Sequence, residues 1–554
     1  MTYDLTFYKA VAEYIESKWR LKTPIWRDLC RFLGLKSNLF NVSVMGAKAN
    51  IEQQKLDEKI FDETPALMSR KSAEYYQGLM FPNKNPVFIS ARPDVADEEG
   101  VDDFMYMFHT GLMEYLKSFR CGFGDSAGKF FNEYTGLGNA MMLVREGDSK
   151  DEPFNVYAYG LDSFGLKNNA LGQPEIALIR QRYDLLSFMQ VFSETAPQEY
   201  RDKFAASQLT EEVEVSHLIL PNPDYDPKGI GRAKEARYMG VYWTDSTILA
   251  KEYYWENPFV CGQFGKVQGE IYGRGANEMC YKTIKASNGY MYLAMVNTAK
   301  QTDPAVGVWD GSASGDGEFD TSAGALVTFN PTLLQGKEPV FRIQDVGDIS
   351  AVVSFMLPQL HNVLNEAHKN DLLSQFQSGA NKTRLEVMTL NDIRNQGMNG
   401  IVTNLWSQLQ GFWHRVIACY YRQVWKETRE VPEAIRKLAD KGEQWYILQP
   451  NTALQQVLNA QEFDNYNTAV NTIVGSATVD PVIAQVANFY PALKQLLDGN
   501  GYGTMLPSVV QYSIAKQNFN TMQQQQAQTE MNYKQSQANA NNAKATGENN
   551  NGII

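Results

Sequence analysis

Residues of the right type for a chemical site occur at a few places along the chain, and in each the spacing decides what they can do. The segment GFGDSAGKF at 122–130 is the nearest approach to a phosphate loop. A Walker A loop wraps phosphate in backbone amides and a lysine, so it needs a glycine, four residues, then Gly-Lys followed by Ser or Thr. Here Phe123 stands where the leading glycine belongs, and Phe130 replaces the magnesium-binding hydroxyl after Lys129. The segment reads as a glycine-rich turn opening a helix. Gly136-Leu137-Gly138 precedes a strand instead of following one, so it is no dinucleotide site. His361 and His368 lie seven residues apart with Glu366 between them. That puts both histidines on one helix face, but zinc hydrolysis needs HExxH, with two ligands one turn apart. They read as polar positions on a packed helix. The cysteines 30, 121, 261, 280 and 419 are scattered, odd in number and without CxxC spacing, which favours free thiols in a reducing compartment. Paired acids such as Asp102 and Asp103 suit the positive end of a helix. No catalytic residue, metal site or cofactor emerges, so the chain does not read as an enzyme.

Composition narrows the class further. Of 554 residues, 44% are hydrophobic and 21% charged, enough apolar content to bury large cores. Fifty-one basic residues against 63 acidic ones leave a formal charge of −12, the wrong sign for a general nucleic-acid clamp. No apolar run approaches the roughly 18 residues of a membrane span, and no signal-peptide pattern opens the sequence. These features suit a soluble protein made inside the cell.

The elements that would carry any site follow from periodicity. Apolar spacing predicts a helix over 5–20 and a second, short one through Trp26, Leu29 and Leu33. Asp62, Glu63 and Pro65 make a helix start, and that helix stops at Pro82. Helices are expected at about 98–120 and 125–138, then strands in NAMMLV, FNVYAYG and EIALIRQRY within 139–183. One helix is expected over 184–207, followed by a β-rich stretch at 211–264 with EVSHLIL, ARYMGVYWT and ILAKEYYW as strands. The connection PNPDYDPKGIGRAKE projects between the first two of these strands. Residues 275–300 read as a long helix, with Ala276, Cys280, Ile284, Met291 and Met295 on one face, and 303–340 as irregular. Val353, Leu357, Leu360, Leu364 and Ala367 mark a helix over 348–376, and Ile401, Leu405, Leu409, Phe412 and Val416 another over 390–428. A smaller helical region covers 451–500, and the Gln/Asn-rich tail is expected as helix to about 540 and disorder after it. The whole reads as α+β: long helices framing one compact β-rich insertion.

The most informative segment is YYWENPFVCGQFGKVQGEIYGRGANEMCYKTIKASN at 253–288. A strand, a Pro258-Phe259 step and a glycine-rich crossover lead to Tyr272-Gly273-Arg274-Gly275, which opens a helix. By itself this is a tight turn in which two glycines permit close backbone packing. In this framing it resembles the portal, or head-to-tail connector, proteins of podovirus-type phages. KSAEYYQGLMFPNKNPVF, GNAMMLVRE, TDPAVGV, TRLEVMTLNDIRNQG and LNAQEFDNYNTAVNTIVG are similar to further family segments, so the resemblance spans almost the whole chain. Ala276 and Phe264 depart from the family pattern.

The resemblance implies a mainly helical portal fold with a small β-rich clip, assembling as a ring of about twelve subunits at one capsid vertex. It implies a wing at 1–183, a stem helix at 184–210, a clip at 211–268 and a second stem helix at 269–300. The wing then resumes over 301–440, with a tunnel loop at 378–385, before a crown at 441–506, a barrel helix at 507–540 and a disordered tail at 541–554. Lys382, Thr383 and Arg384 would line the channel in the tunnel loop, with Lys282 and Lys285 on the stem. Asp224, Tyr225, Asp226, Lys228 and Arg232 would dock partners at the clip. The partners implied are the terminase large subunit, adaptor or tail proteins, the major capsid and scaffolding proteins, and double-stranded DNA passing without sequence specificity; no membrane is involved. The protein would be assembled in the host cytoplasm and reside in the virion. Another head-tail adaptor or tail ring protein is the alternative, and a packaging ATPase a more distant one.

Overall fold

A computed structural model describes residues 3–33, 60–81, 85–96, 98–226, 229, 231–245, 247–309, 322–329, 340–342, 350–369, 384–450, 468 and 509–549. The chain divides into two compact units: Met1–Met80 with Tyr115–Val424, and Phe81–Glu114 with Trp425–Ile554.

The first unit opens with α1 (Leu5–Leu33). It is one helix where two were expected, because the buried stripe of Ile15, Trp19, Trp26, Leu29 and Leu33 continues past Pro24, which sits on the exposed side. Next come α2 (Thr64–Met80) and, after the Phe81–Glu114 excursion into the second unit, α4 (Phe123–Gly136). The strands β2 (Asn139–Glu146), β3 (Phe154–Tyr159), β4 (Phe164–Asn168) and β5 (Pro174–Asp184) follow. The span 184–207 is two short helices, α5 (Leu185–Phe192) and α6 (Gln198–Ala205). Asp184 caps the first by accepting from Ser187 N, and Pro197 breaks the path between them.

Strands β6 (Glu212–Pro221), β7 (Tyr238–Thr244) and β8 (Thr247–Tyr254) lie where expected, with α7 (Arg232–Glu235) in the connection between β6 and β7. They do not form a separate insertion. They continue an antiparallel sheet in the order β4-β5-β6-β7-β8, and β9 (Phe259–Gln263) pairs with β2 in the order β3-β2-β9. The 211–268 stretch is therefore knitted to 139–184 by backbone ladders. Local patterning identifies a strand but not its neighbour, so this pairing was not legible in advance.

One core joins α1 to these strands: Trp19, Trp26, Leu166, Ile179, Leu218, Val241 and Tyr272 are all buried in it. Trp19 Nε1 donates to the Leu161 carbonyl at 2.8 Å, so even the buried indole N–H is satisfied. A smaller core closes α5 onto the sheet through Leu185, Phe188, Val213 and Tyr242.

After the short α8 (Ala276–Met279), the chain runs through α9 (Tyr281–Thr302), which breaks from α8 at Cys280. The stretch read as irregular contains a small sheet, β11-β10-β12, built from Val306–Trp309, Leu326–Phe329 and Val340–Arg342. It is followed by α10 (Ser350–Ala367), which packs back on α9, and then by α11 (Arg384–Tyr420), ending in a π-helical turn at Tyr421–Trp425.

In the second unit, α3 (Val101–Lys117, its last turn in the first unit) and α12 (Glu433–Asp440) accompany an antiparallel pair, β1 (Val87–Ala91) with β13 (Tyr446–Pro450). Phe104 and Phe108 pack edge-on and tilted against Trp425 and Trp445 at centroid distances of 5.3–6.4 Å. The terminal α13 (Val509–Asn549) is helical well beyond residue 540, where disorder was expected. Apart from Thr468, the expected helices of 451–500 lie outside the described residues.

Candidate assembly and channel elements

The YGRG segment is a structural knot. Tyr272 is buried; its hydroxyl accepts from Leu166 N at 3.1 Å, and its ring meets Trp26 edge-on at 5.1 Å. Gly273 N donates to Asn139 Oδ1 at 2.8 Å, and Asn139 Nδ2 returns a bond to the Gly273 carbonyl at 3.0 Å. A Cβ on Gly273 would lie 2.3 Å from the Phe264 carbonyl oxygen, and one on Gly275 would lie 2.7 Å from Gly138 N. Two backbones therefore cross with no room for a side chain, which is the chemical reason for glycine at both positions. Arg274 stays outside the knot and pairs with Glu270 at 3.1 Å. The sequence pointed to the glycines but not to Asn139 and Gly138, 130 or more residues away, which complete the contact.

His361 on α10 and His368 in the turn just after it each rivet this region to neighbouring elements. Asp62, whose side chain is buried, accepts from Ser287 Oγ and Thr64 N, and lies 3.0 Å from His361 Nε2. Burial pushes the Asp62 carboxyl up, but these bonds from Ser287, Thr64 and His361 outweigh it and hold the group below its ordinary range. Asn288 Oδ1 accepts from the backbone N–H groups of Phe61 and Asp62, at 2.7 and 3.2 Å. Seven residues on, His368 Nε2 lies 2.8 Å from Asn277 Oδ1, and Asn277 Nδ2 donates to Ser69 Oγ at 3.0 Å. Burial pushes His368 down to about 4, so it is a neutral partner. No cluster able to hold a metal ion occurs among the described residues.

Above those rivets the α9–α10 hairpin has little interior. Ile284 and Ser287 are the buried residues of α9. Its second half, YMYLAMV at 290–296, is apolar all round, with Leu293 and Met295 each 53% exposed. The expected stripe therefore packs inward at Ala276, Cys280 and Ile284 and emerges at Met295. On α10, Phe355 and Val363 are exposed as well. Lys285 bonds Asp28 at 3.0 Å and lies over the Tyr281 ring, whereas Lys282 is exposed and has no partner among the described residues.

A buried ionic cluster fixes the end of α11. Arg415, 1% exposed, bonds Glu256 at 2.7 Å, and Arg422 bonds Glu146 at 2.9 Å and Glu256 at 2.8 Å. Burial raises both carboxyls, yet the Arg422 guanidinium and then Arg415 pull them below the usual range. Nothing in the local sequence marked this cluster, because its members come from β2, the turn after β8 and α11.

The family model described as "Bacteriophage head to tail connecting protein" matches residues 8–506. The chain belongs to that family. No curated protein matches it. Among solved structures, it is similar to a chain in the virion of a native gene transfer agent particle, at 10% identity and a TM-score of 0.35, covering 77% of this chain and 91% of that one. A chain from the neck of an empty particle of that kind gives 10% identity and a TM-score of 0.36, covering 77% and 93%. Both are too distant to bear on function.

In the β6–β7 connection, Asn222 organises the turn: its Oδ1 accepts from Asp224 N at 3.1 Å, and its Nδ2 donates to the carbonyls of Ala233 and Ala236. Asp224, Tyr225, Asp226 and Arg232 are exposed there, and Lys228 lies outside the described residues. Lys382 and Thr383 also lie outside them, and Arg384 begins α11. No described helix is long and apolar enough to cross a membrane.

Proposed function

We propose that this connector is the portal subunit, twelve copies of which form a ring at one capsid vertex through which the genome is packaged and ejected. The observation that carries the reading is the α9–α10 hairpin. Its outer half is apolar all round, and among the described residues Tyr292, Leu293 and Met295 remain exposed. A helix apolar on every side needs cover on every side, which neighbours on both flanks of a ring supply. The hairpin, with the small sheet of residues 306–342 between its helices, also takes over the stem and clip roles first assigned to 184–210, 269–300 and 211–268. On this assignment the stem is 281–302 with 350–367 and the clip is 303–349; α5 and α6 are too short for a stem, and 211–268 is bound into the sheets of the wing.

The acidic balance suits a conduit. A net charge of −12 per chain disfavours counterion-release trapping of DNA, so an external motor does the pulling. Lys282, Lys382 and Arg384, the last two on either side of Thr383 at the approach to α11, are the cations assigned to the channel; Lys285 is already paired with Asp28. The terminase and later the tail or adaptor proteins dock at the clip end, and capsid and scaffolding proteins surround the wing. The protein has no catalytic role.

Negative-stain imaging with mass photometry of the purified full-length chain tests this. Closed rings of about twelve subunits with a channel wide enough for a duplex are expected. A chain that stays monomeric at micromolar concentration even with its scaffolding and capsid proteins present would overturn the reading.

A further inference from the structure

A cavity of about 280 Å³ lies beside β8, lined by residues 251–254 of that strand together with Arg145, Glu146, Asp148 and Arg232. Alternate residues of a strand point to opposite faces, so Lys251 and Tyr253 belong to one face of the sheet and Glu252 and Tyr254 to the other. Lys251 indeed lies over the Tyr8 ring of α1, while the Tyr254 hydroxyl bonds Glu252 on the opposite side. A cavity lined by four consecutive residues of one strand, whose side chains alternate between the two faces, runs along that strand's edge. β8 is the last strand of its sheet, and among the described residues its backbone makes hydrogen bonds only to β7. The edge is therefore open on the side where the cavity lies.

The charges lining it are not equivalent. Glu252 is taken by Arg145 at 3.0 Å and by the hydroxyls of Tyr242 and Tyr254. Glu146 is taken by Arg422 and Arg415. Among the described residues Arg232 has no ion-pair partner and Lys251 meets only an aromatic ring, against the carboxylate of Asp148, likewise unpaired among them. What is left to a visitor is an excess of positive charge. A lone edge lysine is a common guard against unwanted strand pairing. A guard needs neither a cavity nor a second unpaired cation carried in on α7 from another connection. The volume is below that of ordinary small-molecule pockets but admits two or three side chains.

We propose that the β8 edge and this cavity form a docking slot for an extended acidic segment of a partner polypeptide. The segment adds a strand to the five-stranded sheet, its backbone pairing with β8 and its carboxylates meeting Arg232 and Lys251. The slot is a property of the single chain and does not depend on the ring.

The test uses the full-length protein and three fluorescein-labelled octapeptides: alternating Val and Asp, alternating Val and Lys, and the acidic peptide with prolines replacing its valines. Anisotropy is expected to report binding of the first alone. Arg232→Ala with Lys251→Ala should weaken that binding about tenfold while leaving the thermal midpoint unchanged. Amide exchange over 247–254 should slow when the acidic peptide is present. Equal binding of the proline peptide would mean attraction by charge without strand addition and would overturn the proposal. So would the absence of binding by the acidic peptide, or its displacement by a duplex oligonucleotide at equal charge concentration, which would assign the cations to phosphate.

Discussion

Gly273→Ala and Gly289→Ala apply the same chemical change at two glycines of one segment, and the structure requires opposite outcomes. At Gly273 the new methyl would sit 2.3 Å from the Phe264 carbonyl oxygen, 2.8 Å from Phe264 N and 2.9 Å from the Gly138 carbonyl oxygen. All three are backbone atoms, so no side chain can swing aside; the crossing itself must open. Opening it breaks the reciprocal pair with Asn139, two buried hydrogen bonds at about 1 kcal/mol each. Overpacking adds about 1–3 kcal/mol, and the reduced freedom of the unfolded chain returns about 0.4–1 kcal/mol. The net is a loss of about 2–5 kcal/mol. At Gly289, inside α9, a Cβ meets nothing within 4 Å. There the substitution removes the helix penalty of glycine and should stabilise by up to about 1 kcal/mol. Urea unfolding of the unassembled chain, followed by fluorescence of the buried Trp19 and Trp26, compares the apparent midpoints. A Gly273→Ala protein as stable as the parent, or a destabilised Gly289→Ala protein, would refute the claim that backbone contact explains the motif.

Four further outcomes are expected. Leu293→Asp with Met295→Asp should abolish ring formation in mass photometry while leaving the circular dichroism of the chain unchanged, because both side chains are half exposed in the single chain. Glu146→Ala leaves Arg422 and the buried Arg415 short of a counter-charge and should cost about 3 kcal/mol in urea unfolding, whereas Glu433→Ala, whose pair with Lys437 is exposed, should change nothing measurable. His217 and His368 are pushed down by burial to about 3 and about 4, so the unfolded chain binds their protons more readily. Their contribution is fully present above the ordinary histidine pKa of 6.5 and is lost as pH falls toward those values, about 1.4 kcal/mol per pH unit for each; His217→Phe should flatten a urea-midpoint profile between pH 6.5 and 4. Asp62, held below its ordinary value, contributes stability above the normal carboxylate range that is lost as pH falls through its folded-state pKa. Asp62→Asn should remove that acid-side loss and speed amide exchange in α9 and α10.

The sequence by itself determined what is local or repetitive. The apolar rhythm of Leu357, Leu360 and Leu364, the start at Pro65 and the short apolar run that ends EVSHLIL each specify an element through backbone geometry within a few residues. The charge balance and the YGRG framing were legible in the same way, and the latter pointed to the family that the match over residues 8–506 establishes. Tertiary structure decided which strand lies beside which. The β5–β6 and β2–β9 pairings bind 211–268 into the sheets of 139–184, and α9 with α10 makes the hairpin that the local reading had placed elsewhere. It also gave Asn139, Asp62, His361, Arg415 and Glu146 their partners. Those contacts join residues more than 100 positions apart and depend on atoms meeting at 3 Å. A hydrogen bond or an excluded methyl is set by that meeting, and periodicity along one segment carries no record of it.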